Sequence, residues 1–185
     1  MKKLPIRQLS LAAMTAAALA LGACATPFRA DVARFQTQLP APQGQSFTIE
    51  AGHPALAGGI EFGQYAGLVA GELTRYGYRP AAPGERPEMI VRMSYDIDKG
   101  RERVRSTPGF GYNDVESYTV YTTGLDLQIS RASDGYRLFE GRAEAQSRDN
   151  NHQTIIPNLI EAMFTNFPGN SGEKVRITVA PPEKG

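Results

Sequence analysis

Apolar and polar residues alternate along six stretches of the chain, a pattern typical of half-buried β-strands. The clearest stretch is 88–98, where Met89, Val91 and Met93 fall on one face and Arg92 falls on the other. The predicted strands are 31–38, 46–50, 88–98, 118–130, 136–146 and 175–179.

Apolar residues spaced by three and four positions predict two amphipathic helices. The first covers residues 60–76 and carries Gly63, Gly67 and Gly71, one glycine every four residues. This row of residues without side chains predicts that the helix packs closely on a sheet. The second covers residues 155–164, and Pro157 is expected in its first turn, where a proline is tolerated.

The order of these elements is ββα-βββα-β. Half-polar alternating strands with two amphipathic helices predict an α+β fold, in which a single antiparallel-rich sheet has both helices packed on one face. Residues 99–116 are polar and rich in glycine, and they are predicted to form a loop. We expect one domain over residues 31–180, followed by a short tail at 181–185.

The first residues have the pattern of an export signal. Lys2, Lys3 and Arg7 precede an apolar stretch of small residues that is too short for an ordinary membrane-spanning helix. The stretch ends in Leu-Gly-Ala-Cys at residues 21–24, which resembles the lipobox of bacterial lipoproteins. The resemblance implies cleavage between Ala23 and Cys24, so that residues 1–23 are removed.

Cys24 is the only cysteine of the chain, so it has no disulfide partner within it. The lipobox implies that its thiol accepts a diacylglyceryl group and its amino group a further acyl chain such as palmitate. The alternative is an ordinary secretory signal with an incidental cysteine. We expect residues 24–30 to be a lipidated anchor and leash, and the resemblance to sorted lipoproteins at Ala25 implies the periplasmic face of the outer membrane.

Charge excludes one class of partner. Three of the 20 basic residues lie in the first 23 positions, which leaves 17 basic against 19 acidic residues in the remaining chain. Nucleic-acid binding requires a basic excess that is absent here. We expect no nucleic-acid partner.

Few residues suggest chemistry. His53 and His152 lie far apart in the sequence, each near a predicted helix start, which indicates surface or capping roles and predicts neither a metal site nor a cofactor. Asp96, Asp98 and Asp126 fall on neighbouring predicted strands. Converging carboxylates can bind calcium or perform acid–base work, whereas solvated surface charge is the commoner arrangement. No catalytic residue is assigned.

The most suggestive segment combines arginines with aromatic residues. Arg101, Arg103 and Arg105 alternate ahead of a Gly-rich stretch that contains Phe110 and Tyr112. Guanidinium groups on one side of an extended segment suit phosphate or acidic sugar groups. The alternative is a solvent-exposed hairpin end whose charge is balanced by nearby carboxylates.

Several fragments resemble, in their order, a bacterial lipoprotein family catalogued as Domain of Unknown Function 4136. They are the strand at 31–38, Leu-Thr-Arg-Tyr-Gly-Tyr-Arg at 73–79, the strand at 87–95, Gly-Leu-Asp-Leu-Gln-Ile at 124–129, Phe-Glu-Gly at 139–141 and Phe-Pro at 167–168. The resemblance implies an α+β envelope lipoprotein and supplies no catalytic residues.

Together these features predict a non-enzymatic binding or adaptor module of the cell envelope, held to a membrane through lipid on Cys24 and engaging an envelope protein. A carrier or sensor of an anionic lipid or glycan is the alternative, and a hydrolytic enzyme is a third hypothesis.

Overall fold

The computed structural model describes residues 27–108 and 113–180. The strands of this part are β1 (Phe28–Gln36), β2 (Ser46–Ala51), β3 (Arg79–Pro80), β4 (Met89–Ile97), β5 (Arg101–Pro108), β6 (Asn113–Arg131), β7 (Arg137–Ser147) and β8 (Glu173–Val179). The helices are α1 (Ile60–Arg75) and α2 (His152–Phe164), and a short 3-10 turn covers Pro54–Leu56.

The strands form one sheet in the order β3-β2-β4-β6-β7-β1-β8, and β5 pairs with β6 outside this path. β2 runs parallel to β3 and β4, whereas β4, β6, β7 and β1 pair antiparallel. The predicted α+β fold is therefore confirmed. The sheet is mixed, because the segment between β2 and β4 includes α1 and returns the chain in the same direction.

The core lies between the helices and one face of the sheet. β4 supplies Val91 and Met93, and β6 supplies Leu125 and Leu127, all fully buried. The helices cover them with Tyr65, Val69 and Leu73 from α1 and with Ile155, Ile156, Leu159, Ile160, Met163 and Phe164 from α2. The alternation that predicted these strands reflects this one-sided burial.

α2 begins earlier than predicted. Asn151 caps it, and its side-chain oxygen accepts a hydrogen bond from the Gln153 amide at 3.0 Å. Pro157 consequently lies in the second turn, not the first. The start was missed because His152 and Gln153 precede the apolar stripe by which the helix was recognised.

The glycine stripe of α1 does not pack on the sheet. A Cβ added at Gly63, Gly67 or Gly71 would meet no atom within 4 Å. The expectation of close packing was wrong, because a four-residue spacing places residues on one helix face without specifying that this face is inward.

Most of the described part of the segment 99–116 is strand, not loop. Residues 101–108 form β5, and β6 begins at Asn113, five residues before its predicted start. The prediction failed because β5 is exposed along residues 101–107, so no apolar periodicity marks it.

Arg34 is a buried arginine in β1, with 1% of its surface exposed. Its Nη2 donates to the carbonyls of Ala162, Met163 and Thr165 at 2.8–2.9 Å, where α2 ends. Its Nη1 donates to Glu173 in β8 at 3.0 Å. A cation at a helix C-terminus satisfies carbonyls that lack intrahelical partners and is favoured by the helix dipole.

We predict that Arg34→Met lowers the free energy of unfolding by about 3 kcal/mol, because three carbonyls and a carboxylate lose their partner. Arg176→Met is the matched control, since Arg176 forms an exposed pair with Asp31 at 2.8 Å and should cost less than about 1 kcal/mol. Urea unfolding followed by circular dichroism measures both. Similar small losses would contradict the role assigned to Arg34.

The exposed glycines make the opposite prediction. Replacing Gly63, Gly67 and Gly71 together by alanine should raise the free energy of unfolding by about 2 kcal/mol, because alanine favours helix and its methyl groups enter open space. Gly141→Ala is the control in β7, where a Cβ would lie 2.5 Å from the Met163 sulfur, and it should destabilise the protein. Thermal unfolding compares the two, and a loss of stability in the triple variant would contradict the exposed placement.

Candidate interaction surface on a projecting hairpin

The most distinctive surface is a two-stranded hairpin that leaves the sheet. It consists of β5 and the part of β6 that pairs with it, residues 113–120, and we call it the arm. β7 accompanies β6 only as far as Tyr121, so no third strand of the described residues lies beside the arm. Eight residues of strand extend about 26 Å. The arm therefore projects as a ribbon with both faces open.

The base of the arm contains an irregularity between β4 and β5. Ile97 pairs with Thr123 and Arg101 pairs with Val120, so three residues on one strand face two on the other. This one-residue excess is the arrangement of a β-bulge. Because side chains alternate along a strand, the bulge reverses which residues of β5 share a face with a given set in β6.

Asp98 and Gly100 hold this bulge. Asp98 Oδ1 accepts hydrogen bonds from the amides of Thr122 and Gly100, each at 2.9 Å, and these bonds, led by that of Thr122, keep the pKa of Asp98 below its usual value. Gly100 has φ +80°, and a Cβ there would lie 2.6 Å from the Thr119 methyl. The position therefore requires glycine.

The bulge places the predicted arginines on the same side of the arm as Tyr118. Arg101, Arg103 and Arg105 project on one side of β5, opposite Val120, Tyr118 and Glu116. Arg148, just after β7, stacks over Tyr118 with its Cζ 3.9 Å from the ring centroid. We call Arg101, Arg103, Arg105, Tyr118 and Arg148 the arginine face. Arg148 was missed from the sequence, although it continues the alternation of Arg142, Glu144 and Gln146 along β7.

The opposite side of the arm is different in character. Val104 and Val115 are 67% and 61% exposed, and the hydroxyl of Ser117 donates to Glu102 beside them. We call Glu102, Val104, Ser106, Val115, Ser117 and Thr119 the valine face. Two large apolar side chains thus stand in solvent on a ribbon with no core beneath it.

The arginine face is electrostatically unusual. Elsewhere in the described residues, eight arginines form ion pairs with carboxylates, among them Arg142 and Arg176. Arg101, Arg103, Arg105 and Arg148 form none with the carboxylates that the structure describes. Their positive charge is therefore available to an external anion.

The three candidate aspartates do not form a common site. Arg142 pairs with Asp126 at 2.6 Å and with Glu144 at 2.8 Å, and Asp96 lies 3.9 Å away. These carboxylates neutralise an arginine on the helix-free face. Asp98 is turned into the bulge and does not join them.

The histidines have local roles. His53 Nδ1 accepts a hydrogen bond from the Ala55 amide at 3.2 Å and caps the 3-10 turn. His152 Nδ1 lies 3.9 Å from Glu61, which also accepts hydrogen bonds from the hydroxyls of Tyr65 and Tyr95. Burial, followed by the bond to Glu61, raises the pKa of the Tyr65 hydroxyl. Across residues 27–108 and 113–180, no group of three potential metal ligands is present.

An open groove of about 1110 Å³ lies at the other end of the sheet, between the loop before β4 and the turn after β6. Glu85 in its wall pairs with Arg79 at 2.5 Å, and Arg131 pairs with Asp134 at 2.7 Å. The charges of Glu85 and Arg131 are thus engaged with partners within the protein.

Four predicted residues lie outside the described part of the chain. They are Ala23 and Cys24 at the expected cleavage and lipidation site, and Phe110 and Tyr112 between β5 and β6. None of the helices that the structure describes is both long enough and apolar enough to span a bilayer.

Comparison with known proteins identifies one family. The model of the family described as Domain of unknown function (DUF4136) matches residues 31–169, and no curated protein matches the chain. Among solved structures, a PDZ domain protein from Parabacteroides distasonis is similar with a TM-score of 0.46 and 14% identity over 89% of this chain, which spans 42% of that one. Two structures of the PelC dodecamer from Paraburkholderia phytofirmans are similar with TM-scores of 0.42 and identities of 12% and 10%. Each match covers 71% of this chain and 91% of that one.

The bulge makes a prediction about the arm. Asp98→Ala removes the acceptor shared by Gly100 and Thr122, so amides of residues 101–107 and 115–120 should exchange with solvent about tenfold faster. Asp96→Ala is the control, because Asp96 precedes Asp98 by two residues and its carboxylate lies 3.9 Å from Arg142, outside the bulge. Hydrogen exchange with mass spectrometry measures both, and unchanged exchange in the Asp98 variant would contradict its role.

Proposed function

This chain belongs to the DUF4136 family, and on that premise we propose that it is a lipid-anchored, non-enzymatic binding or adaptor module on the periplasmic face of a bacterial membrane, with the arm as its docking element. The observation that carries the proposal is the exposure of both faces of the arm. A family of unknown function supplies no activity, so the argument rests on this chain's own residues.

The physical argument concerns the stability of a ribbon in water. A two-stranded hairpin is marginally stable unless it packs on something. The arm leaves Val104 and Val115 exposed, and within residues 27–108 and 113–180 β6 is the only strand beside β5. A partner that covers the valine face would bury both side chains and stabilise the ribbon.

The free edge of β5 offers a second mode of contact. β5 pairs on one side only, so the backbone amides and carbonyls of its other side are open to a partner strand. Addition of a strand to such an edge is a common way of binding an extended peptide. Both modes favour a protein partner in the envelope.

The anchor rests on the sequence. The Leu-Gly-Ala-Cys stretch that ends at Cys24 resembles a lipobox, and Cys24 is the only cysteine of the chain. Two or three acyl chains bind a membrane firmly, because each buried methylene contributes about 0.8 kcal/mol. The resemblance to sorted lipoproteins at Ala25 favours the outer membrane. A tethered domain with an exposed ribbon is suited to docking at a fixed height above the bilayer.

A binding role is also supported by the engagement of the candidate carboxylates. Asp126 neutralises Arg142, and Asp98 is built into the base of the arm. The alternative function is a carrier or sensor of an anionic envelope lipid or glycan, and the arginine face favours it.

The test is photocrosslinking in living cells with a photoreactive amino acid at position 104, in the full lipidated chain. We expect a covalent adduct with one envelope protein, because Val104 stands exposed on the docking face. The same probe at Ser133, in the exposed turn at the other end of the sheet, is the control. A Cys24→Ser chain should lose the adduct, because it lacks the anchor.

Substitution of both valines sharpens this test. Val104→Glu with Val115→Glu should abolish co-purification of the crosslinked protein while leaving thermal unfolding unchanged, since both side chains are exposed. Absence of any adduct at position 104, or the same adduct from Ser133, would overturn the proposal.

A further inference from the structure

The start of the domain and the arm lie at the same end of the sheet. Asp31 in β1 and Gly124 in β6 both pair with Glu144 in β7, so the three strands can be compared at one level. β7 runs antiparallel to both of its neighbours. β1 and β6 therefore run parallel to each other, and Arg29 and Tyr121 lie on the same side of this level. The arm continues β6 in that direction.

Chain length limits how far this end can lie from a bilayer. Five peptide units separate Cys24 from Arg29, and a fully extended chain of that length spans at most about 18 Å. The arm extends about 26 Å from the same end. With the lipid of Cys24 in the bilayer, the arm is longer than the tether, so it reaches the headgroup layer unless the domain tips away.

The charge at this end suits such contact. Arg29 is exposed on the side of β1 away from the core, and it forms no ion pair with a described carboxylate. Arg29 and the four arginines of the arginine face therefore place five guanidinium groups at one end of the sheet, on the face that the helices do not cover. The described carboxylates near these arginines are Asp31, Asp96, Glu102, Glu116 and Asp149. Asp31 pairs with Arg176, Asp96 lies 3.9 Å from Arg142, and Glu102 is engaged by Ser117 on the valine face. The balance remains positive.

We propose that the arginine face of the arm binds the anionic phospholipid headgroups of the bilayer that holds the lipid on Cys24, so that the domain is fixed at two points. This rests on the lipid anchor of the proposed function and adds to it an orientation. The valine face is left for the protein partner.

The spacing and chemistry favour headgroups over a folded protein on this face. Alternate residues of β5 are about 6.6 Å apart, which lets neighbouring arginines engage separate phosphates, and a guanidinium group binds phosphate through two parallel hydrogen bonds. Tyr118 adds a side chain with an apolar ring and a polar hydroxyl, a type favoured at membrane interfaces. Each arginine near an anionic surface strengthens binding about fivefold.

The experiment uses the lipidated chain in vesicles. With Cys24 acylated, a cysteine introduced as Thr107→Cys is the only free thiol and carries a fluorophore on the same side of β5 as the arginines. Vesicles contain phosphatidylcholine with or without phosphatidylglycerol, and a quencher is attached to a lipid headgroup. Ser133→Cys, at the opposite end, is the control position.

We expect strong quenching at position 107 with phosphatidylglycerol, weak quenching without it or at high salt, and weak quenching at position 133 throughout. Arg101→Gln, Arg103→Gln and Arg105→Gln together should lower the equilibrium constant for arm contact on the order of 100-fold. The matched control replaces Arg86, Arg131 and Arg137 by glutamine, which removes the same charge from the other end and should leave quenching unchanged.

Equal quenching in neutral and anionic vesicles, or no effect of the arm substitutions, would overturn the membrane contact. Crosslinking of position 107 to an envelope protein in cells, without quenching in anionic vesicles, would also overturn it and assign the arginine face to a protein. These outcomes are separable from the proposed function, which the adduct at Val104 and the mass of the acylated N-terminal peptide test independently.

Discussion

The contact of Arg34 with the end of α2 joins three parts of the chain that are distant in sequence. Desolvating a guanidinium group is costly, and the cost is offset here by four hydrogen bonds to α2, the residue after it and β8. β1 lies between β7 and β8, so this cation links the strand nearest the N-terminus to the helix that covers β6 and β7. Any force applied to the chain ahead of β1 would enter the domain through this strand and meet this bonded arginine.

The strands that could be predicted from the sequence are those with one buried face. β4 and β7 alternate because the helices cover only one side of them, and the pattern recorded this directly. β5 was not predicted, because both of its faces are exposed and its sequence therefore lacks the alternation of apolar and polar residues. Arg34 gave no signal either, since its burial depends on carbonyls more than 120 residues away. The α1 glycines showed a common face correctly, but only tertiary contacts determine whether that face is inward.

The candidate surface was recognised in part. The spacing of Arg101, Arg103 and Arg105 placed them on one side of an extended segment, as the structure shows. Their relation to Tyr118 and Arg148 depends on pairing across the sheet, which the sequence does not display. Under the proposals made above, the two chemically different faces of the arm would let one ribbon meet a charged layer and a protein at the same time, with little competition between them.

The bulge between β4 and β5 determines which face of the arm is which. Because one additional residue separates Ile97 from Arg101, straightening the bulge without any change of sequence would pair Arg101 with Thr119 and turn every β5 side chain to the other side. The arginines would then stand with Val115, and Val104 would stand with Tyr118. Deletion of Lys99 would instead leave a regular ladder in which Arg101 still faces Val120, so the arrangement of the arm withstands loss of the additional residue but not a slip of register around it.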